Sequence, residues 1–227
     1  MKWPWGNSQA KAQAVRDRSW ACVRSLGLPT DETLPEFSKI TCSRDPSAVL
    51  DRLFVLQAVT AVAYGFSADR AKTWLRQEGL EHSVGPDEQR ILDEESKDYE
   101  PYQQQVEAMW ALFWYLGLTP TLDPTASCSD SFASEMPDLR PDPMPSTLDW
   151  RARSRPRQAD ELLEAMDVAH CLAWAFAHAR SLGRPTPQLE YGLWVDHRAR
   201  AFAWLTGDGD WTTPTAARRK WRKPILK

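Results

Sequence analysis

Apolar side chains recur along this 227-residue chain at intervals of three and four, and no stretch of convincing length alternates at the period of a β-strand. The pattern predicts helices with short connections. Ser8–Leu26 places Val15, Ser19, Cys22, Val23 and Leu26 on one face and stops at Gly27. Leu28–Thr41, with Pro29 and Pro35, reads as an extended linker. Asp45-Pro46 is a helix start, Asp as N-cap and Pro as first helical residue. Val49, Leu50, Leu53, Phe54, Leu56 and Val59 then keep helical spacing as far as Gly65. Ser67 begins a shorter helix with Ala71, Trp74 and Leu75, stopped by Gly79, and Pro86 opens a short segment with Ile91 and Leu92. Pro101 opens one helix through Val106, Met109, Trp110, Phe113 and Trp114, apolar nearly all round, which predicts a central position.

From Thr119 to Arg157 the pattern breaks. Seven of the 17 prolines fall there, in stretches such as PDLRPDPMPS, and the reading is a long irregular excursion with a helical turn around Ser131–Glu135. Gln158–Gly183 follows as one long helix with Leu162, Leu163, Met166, Ala169, Ala173, Trp174 and Ala177 inward. Gln188–Gly207 is its partner, with Trp194, Ala201, Phe202 and Leu205 inward. The expected fold is all-α, a single domain of about six to eight helices. It divides into an N-terminal helical half (1–118), the Pro-rich excursion (119–157), a closing helix pair (158–211) and a basic tail (212–227).

Composition sharpens this picture in three ways. The last ten residues hold six basic side chains and no acid, so the rest of the chain is more acidic than the net charge of −3. No apolar run approaches a membrane span, and the N-terminus has no secretory h-region. Cys22, Cys42, Cys128 and Cys171 lie far apart with no C-x-x-C pair, which fits a cytoplasmic protein with free thiols. Twelve tryptophans divide by position. Trp110, Trp114, Trp174 and Trp204 sit on helical faces and read as core wedges. Trp3, Trp5, Trp150, Trp211 and Trp221 sit in linkers and termini and are the better candidates to touch a partner.

Candidate chemistry is sparse. There is no Gly-rich phosphate loop and no G-x-S-x-G elbow, and His82, His170, His178 and His197 lack zinc spacing, so neither a cofactor nor a metal is expected. More informative are charged residues inside apolar helices: Arg52, Glu107, Asp167 and Arg198. They read either as an ion-pair network fixing helix register or, with His170 and His197, as a polar pocket. Asp93, Glu94, Glu95, Asp98 and Glu100 form an acidic patch, a solvated helix end or a docking surface for a basic partner.

Three blocks carry a family resemblance. The first is RSWACVRSLGLPTDETLP followed by RDPSAVLDRLFVLQAVTAVAYG, with Arg52. The second is VEAMWALFWYLGL, with Glu107, Leu112, Trp114 and Gly117. The third is ADELLEAMDVAHCLAWAFAHARSLG and the later HRARAFAWL, with Glu161, Asp167, Trp174, Arg198, Trp204 and Leu205. From roughly Arg18 to Trp211 the chain resembles a bacterial family catalogued as domain of unknown function 4272. It departs from that family's polar positions at His197, Ala203, His170-Cys171 and Trp211-Thr212, while the apolar and aromatic positions are kept. The resemblance carries no activity to transfer, and the retained pattern favours a scaffold that binds over one that catalyses.

The resulting expectation is a non-enzymatic cytoplasmic protein whose partner is another protein. Its concrete form is an immunity protein that neutralises a cognate toxin or effector domain. The alternative is an enzyme with a Glu/Asp/Arg/His pocket between helices. Nucleic acid is disfavoured by the acidic body, and no membrane is expected.

Overall fold

The computed structural model describes residues 5–37, 40–187, 191–207 and 210–211, with main chain only for 5–9 and 191–194. Its helices are α1 (Trp5–Ser25), α2 (Pro46–Ala63), α3 (Ala68–Gln77), α4 (Pro86–Leu92), α5 (Glu100–Gln103), α6 (Val106–Tyr115), α7 (Leu148–Arg153), α8 (Ala159–Ser181) and α9 (Tyr191–Thr206). Two 3-10 turns, Glu81–Ser83 and Asp130–Glu135, complete the regular structure, and no strand occurs among the described residues. The fold is all-α. There are more helices than the expected six to eight because short ones form where periodicity has no room to show. The helix read from Pro101 onward is two, α5 and α6, separated at Gln104–Gln105, and the excursion contains α7.

Helix starts follow local chemistry. The Asp45 carboxylate accepts the Ser47 amide at 2.7 Å, with Pro46 at the first helical position. The Ser67 hydroxyl accepts the Arg70 amide at 3.3 Å. Gly27, Gly79 and Gly183 adopt positive φ just past α1, α3 and α8, a conformation in which Gly escapes the Cβ penalty.

Packing runs in series. Helix α8 packs on α1 and on α9, α9 on α6, and α6 on α2, against which α3, α4 and α5 gather. The main core is built around Leu53, Phe54, Trp74, Leu112, Phe113 and Phe202. A second core joins Trp20 and Val23 of α1 to Cys171, Leu172, Ala175 and Phe176 of α8. Helix α8 belongs to both, since Leu162 and Ala169 face the main core. On α1 the buried face is Ala12, Val15, Arg16, Ser19, Trp20 and Val23. Cys22 and Leu26, read as inward, are only half-buried.

Contrary to the sequence expectation, one helix among the described residues is long and apolar enough on average to cross a membrane. This is α2, 18 residues, 72% buried inside the fold. It carries Arg52 and Gln57, and both are buried and hydrogen-bonded to other parts of the chain.

The Pro-rich excursion is ordered, and donors from the helices hold it. Its carbonyls have few ladder partners because proline lacks an N–H. Arg70 donates to the carbonyls of Leu139, Arg140 and Pro141. The Trp74 indole donates to Pro145 O at 2.8 Å, Trp150 to Glu135 O at 2.9 Å, and Gln57 to Pro137 O at 2.5 Å. At its C-terminal end the Arg155 amide donates to Leu116 O and the Arg157 amide to Tyr115 O, both at 2.8 Å. This return passes so near Gly117 (φ +69) that a Cβ there would lie 2.3 Å from Arg155 O.

Gly117→Ala is therefore expected to cost about 3 kcal/mol or more, from left-handed backbone strain together with displacement of the returning strand of chain. Gly79→Ala, with similar φ and open space, should cost only about 1 kcal/mol. Urea denaturation of both variants checks this, and equal losses would show that the close approach does not matter.

Candidate functional site

The four charged residues picked out from apolar helices do not converge on one pocket. The structure gives them to three buried ion pairs, and two of the six members, Arg16 and Glu88, were not foreseen. Arg16 on α1 grips Asp167 on α8 through two nitrogens, Nη2 to Oδ1 at 2.7 Å and Nε to Oδ2 at 3.1 Å. Arg52 on α2 bonds both oxygens of Glu88 on α4, at 2.9 and 2.8 Å. Arg198 on α9 bonds Glu107 on α6 through Nε, at 3.0 Å. All six side chains are at most 7% exposed.

Each pair also holds an irregular segment. Nη1 of Arg16 donates to Leu34 O at 2.7 Å, and Nη2, which also holds Asp167, donates to Pro35 O at 2.8 Å, fixing the linker after α1. Glu88 accepts the Gly85 amide at 2.8 Å, closing the start of α4. Arg198 donates to Asp123 O at 2.6 Å and Ala126 O at 2.5 Å, while the other Glu107 oxygen accepts the Cys128 amide at 2.7 Å. These contacts engage both oxygens of Glu107, which leaves the carboxylate poorly placed to take a proton from a substrate.

The histidines fall in different surroundings. His170, half-buried, meets the edge of Phe37 with ring centres 5.2 Å apart. Burial, then the nearby Arg16 charge, hold its imidazole below the ordinary value, with Asp167 opposing. His197 is buried and touches the Arg200 side chain through Nδ1. Burial pushes the Arg200 guanidinium down to about 10, against the pull of Asp196. The Cys171 thiol is raised to about 12 by burial and then Asp167, and Cys128 to about 12 by burial and then Glu107, so both stay protonated and weakly nucleophilic near neutral pH. Among the described residues no group of three or more His, Cys, Asp or Glu comes together to hold a metal ion.

Tryptophans cap the arginines. Trp110 lies 4.5 Å from the Arg198 guanidinium carbon, Trp114 5.0 Å from that of Arg157, and Trp20 5.6 Å from that of Arg16. Trp114 is buried, and Trp110, Trp174 and Trp204 are half-buried against the cores. Trp150 and Trp211, read as partner candidates, also pack on the main core. Trp211 meets Trp204 edge-on at 5.4 Å and donates to Gln105 Oε1 at 3.3 Å. Trp3, Trp221, the side chain of Trp5 and the basic tail 212–227 lie outside the described residues. The acidic patch is on the surface: Asp93, Glu94, Glu95, Asp98 and Glu100 are all exposed.

A family model described as Domain of unknown function (DUF4272) matches residues 15–214. No curated protein and no solved structure matches the chain.

Removing one partner of a buried pair leaves the other charge uncompensated, so Asp167→Asn is expected to cost about 3–5 kcal/mol in urea denaturation. The double change Arg16→Met with Asp167→Leu also leaves Leu34 O and Pro35 O without donors, yet it should cost clearly less than the sum of the two single changes, and simply additive losses would refute the ion-pair account. His170 sets a second test. Its folded pKa lies below the unfolded value of about 6.5, so the unfolded chain binds the proton more readily. Stability should fall as pH drops from about 7.5 to about 5.5. Denaturation at both values should give a smaller fall for His170→Gln than for the natural chain.

Proposed function

The chain belongs to the DUF4272 family, whose description assigns no activity, and from the geometry above we propose that it is a protein-binding protein that acts through its acidic face. The observation that carries this reading is the turn after α4. Glu94 has φ 58 there, a left-handed position that glycine ordinarily takes. Its amide donates to Ile91 O at 3.1 Å and that of Glu95 to Arg90 O at 2.9 Å, the paired bonds that close a helix C-terminus. Three carboxylates, Asp93, Glu94 and Glu95, then stand at the helix end where negative charge is least favoured. Local physics would place glycine and a cation in this turn, and a chain that keeps Glu there accepts a stability cost that recognition can explain.

An exposed acidic face steers and complements a basic partner. In the concrete form we propose, the chain is an immunity protein that covers the basic active site of a cognate bacterial toxin in the cytoplasm. The four free cysteines fit a reducing compartment. The enzymatic alternative asks Glu107, Asp167, Arg198, His170 and His197 to share a cavity. The assignment of those groups to separate pairs that anchor loops weighs for binding over catalysis.

Affinity capture from the native host, with Asp93, Glu94 and Glu95 all changed to Lys as control, tests the reading. A basic protein retained by the natural chain and lost by the variant supports it, and equal capture by both overturns it. Glu94→Gly separates the two effects: it should raise stability by roughly 0.5–1 kcal/mol while weakening capture. A variant no more stable than the natural chain would show that the turn is not strained.

A further inference from the structure

We propose that residues 119–128 form a strap over an apolar cleft between α8 and α9, and that this strap opens as a local unit while the helices stay folded. The cleft is lined by Leu122 and Pro124 from the strap, Ala169 and Leu172 from α8, and Val195 and Phe202 from α9. Its free volume is about 20 Å³, room for about one water. The closed strap therefore nearly fills it.

The strap differs from the rest of the excursion in how it is held. Further along, Phe132, Met136 and Leu139 bury in the main core. Within 119–128 only Thr119 is buried, and the other nine residues are half-buried or exposed. Its apolar contacts with the main core, at Leu122 and Cys128, are only half-buried, and polar latches supplement them. Arg157 donates to Thr119 O and Pro120 O, both at 3.0 Å. Arg198 holds Asp123 O and Ala126 O, and Glu107 holds the Cys128 amide. The bend between them is set by Asp123 itself, whose Oδ1 accepts the amide and the hydroxyl of Thr125 at 2.7 and 2.8 Å.

Two consequences follow from this division. Segments with little buried apolar surface open at lower free energy than the whole fold. When the strap lifts, Arg198 and Glu107 keep each other, with Nε to Oε2 at 3.0 Å, so no buried charge is stranded and the opening stays cheap. The open state exposes the α8–α9 cleft as an apolar surface that the closed state hides. This inference does not rest on the acidic-face reading.

Hydrogen exchange followed by mass spectrometry on the full chain tests it. The Cys128 amide reports latch opening, because its acceptor is Glu107 rather than the Asp123 turn. It should exchange at least about tenfold faster than the amides of α6 and α8. Asp123→Ala, at an exposed position outside both cores, should speed Cys128 exchange about a further tenfold. The same variant should increase fluorescence of the apolar dye 1-anilinonaphthalene-8-sulfonate, with the urea midpoint and helix exchange unchanged. Leu122→Ala should act in the same direction. Exchange of Cys128 at the same rate as α6 and α8, or a Cys128 rate unmoved by Asp123→Ala, would overturn the strap.

Discussion

A backbone carbonyl that has left a helix and found no strand must still be met by a donor, and in this protein side chains from the helices meet it. Two long irregular stretches, the linker after α1 and the excursion between α6 and α8, carry such carbonyls, and proline thins out the amides that could pair with them. Arg16, Arg70 and Arg198 and the indoles of Trp74 and Trp150 from helices, with Arg157 from the excursion itself just before α8, fill the gap. Guanidinium suits this because its fork of five N–H groups can hold a carboxylate and two carbonyls at once, as Arg16 and Arg198 do. A lysine ammonium has three donors on one atom and could not span the same partners. The abundance of tryptophan then follows in part: flat rings cover guanidiniums that would otherwise face bare core.

Buried ion pairs of this kind contribute little net stability, since desolvating both charges offsets most of their attraction. Their value lies in discrimination. Each of the three pairs joins two helices and, through a further bond to main chain, tells a loop where to lie. A hydrophobic replacement could fill the same volume, but it would leave the carbonyls of Leu34, Pro35, Asp123 and Ala126 without donors.

Much of the helical layout was legible in the chain because its markers are local. Asp45-Pro46, Ser67 and the glycines at 27, 79 and 183 act within one turn of where they stand. The break at Gln104–Gln105 was not legible, because the residues on both sides keep helical spacing across it. Charge inside apolar helices singled out Arg52, Glu107, Asp167 and Arg198, all of them buried, but missed Glu88 and Arg16, the partners of Arg52 and Asp167. Arg16 and Glu88 sit on helices polar enough to hide a buried charge, and only the inward position of Arg16, between Val15 and Ser19, could have revealed it. Trp150 and Trp211 lie outside periodic segments, so no pattern could place them on the core.

The pairing of α1 with α8 has a consequence in time. The first helix is joined by Arg16 to Asp167, 151 residues downstream. A ribosome adding roughly 5–20 residues per second needs on the order of 8–30 seconds to supply that partner. For all of that interval the nascent chain carries Trp20, Val23 and the Arg16 guanidinium with no surface to receive them. Helix α1 is thus made well before its partner, and it cannot be seated until α8 has followed it off the ribosome.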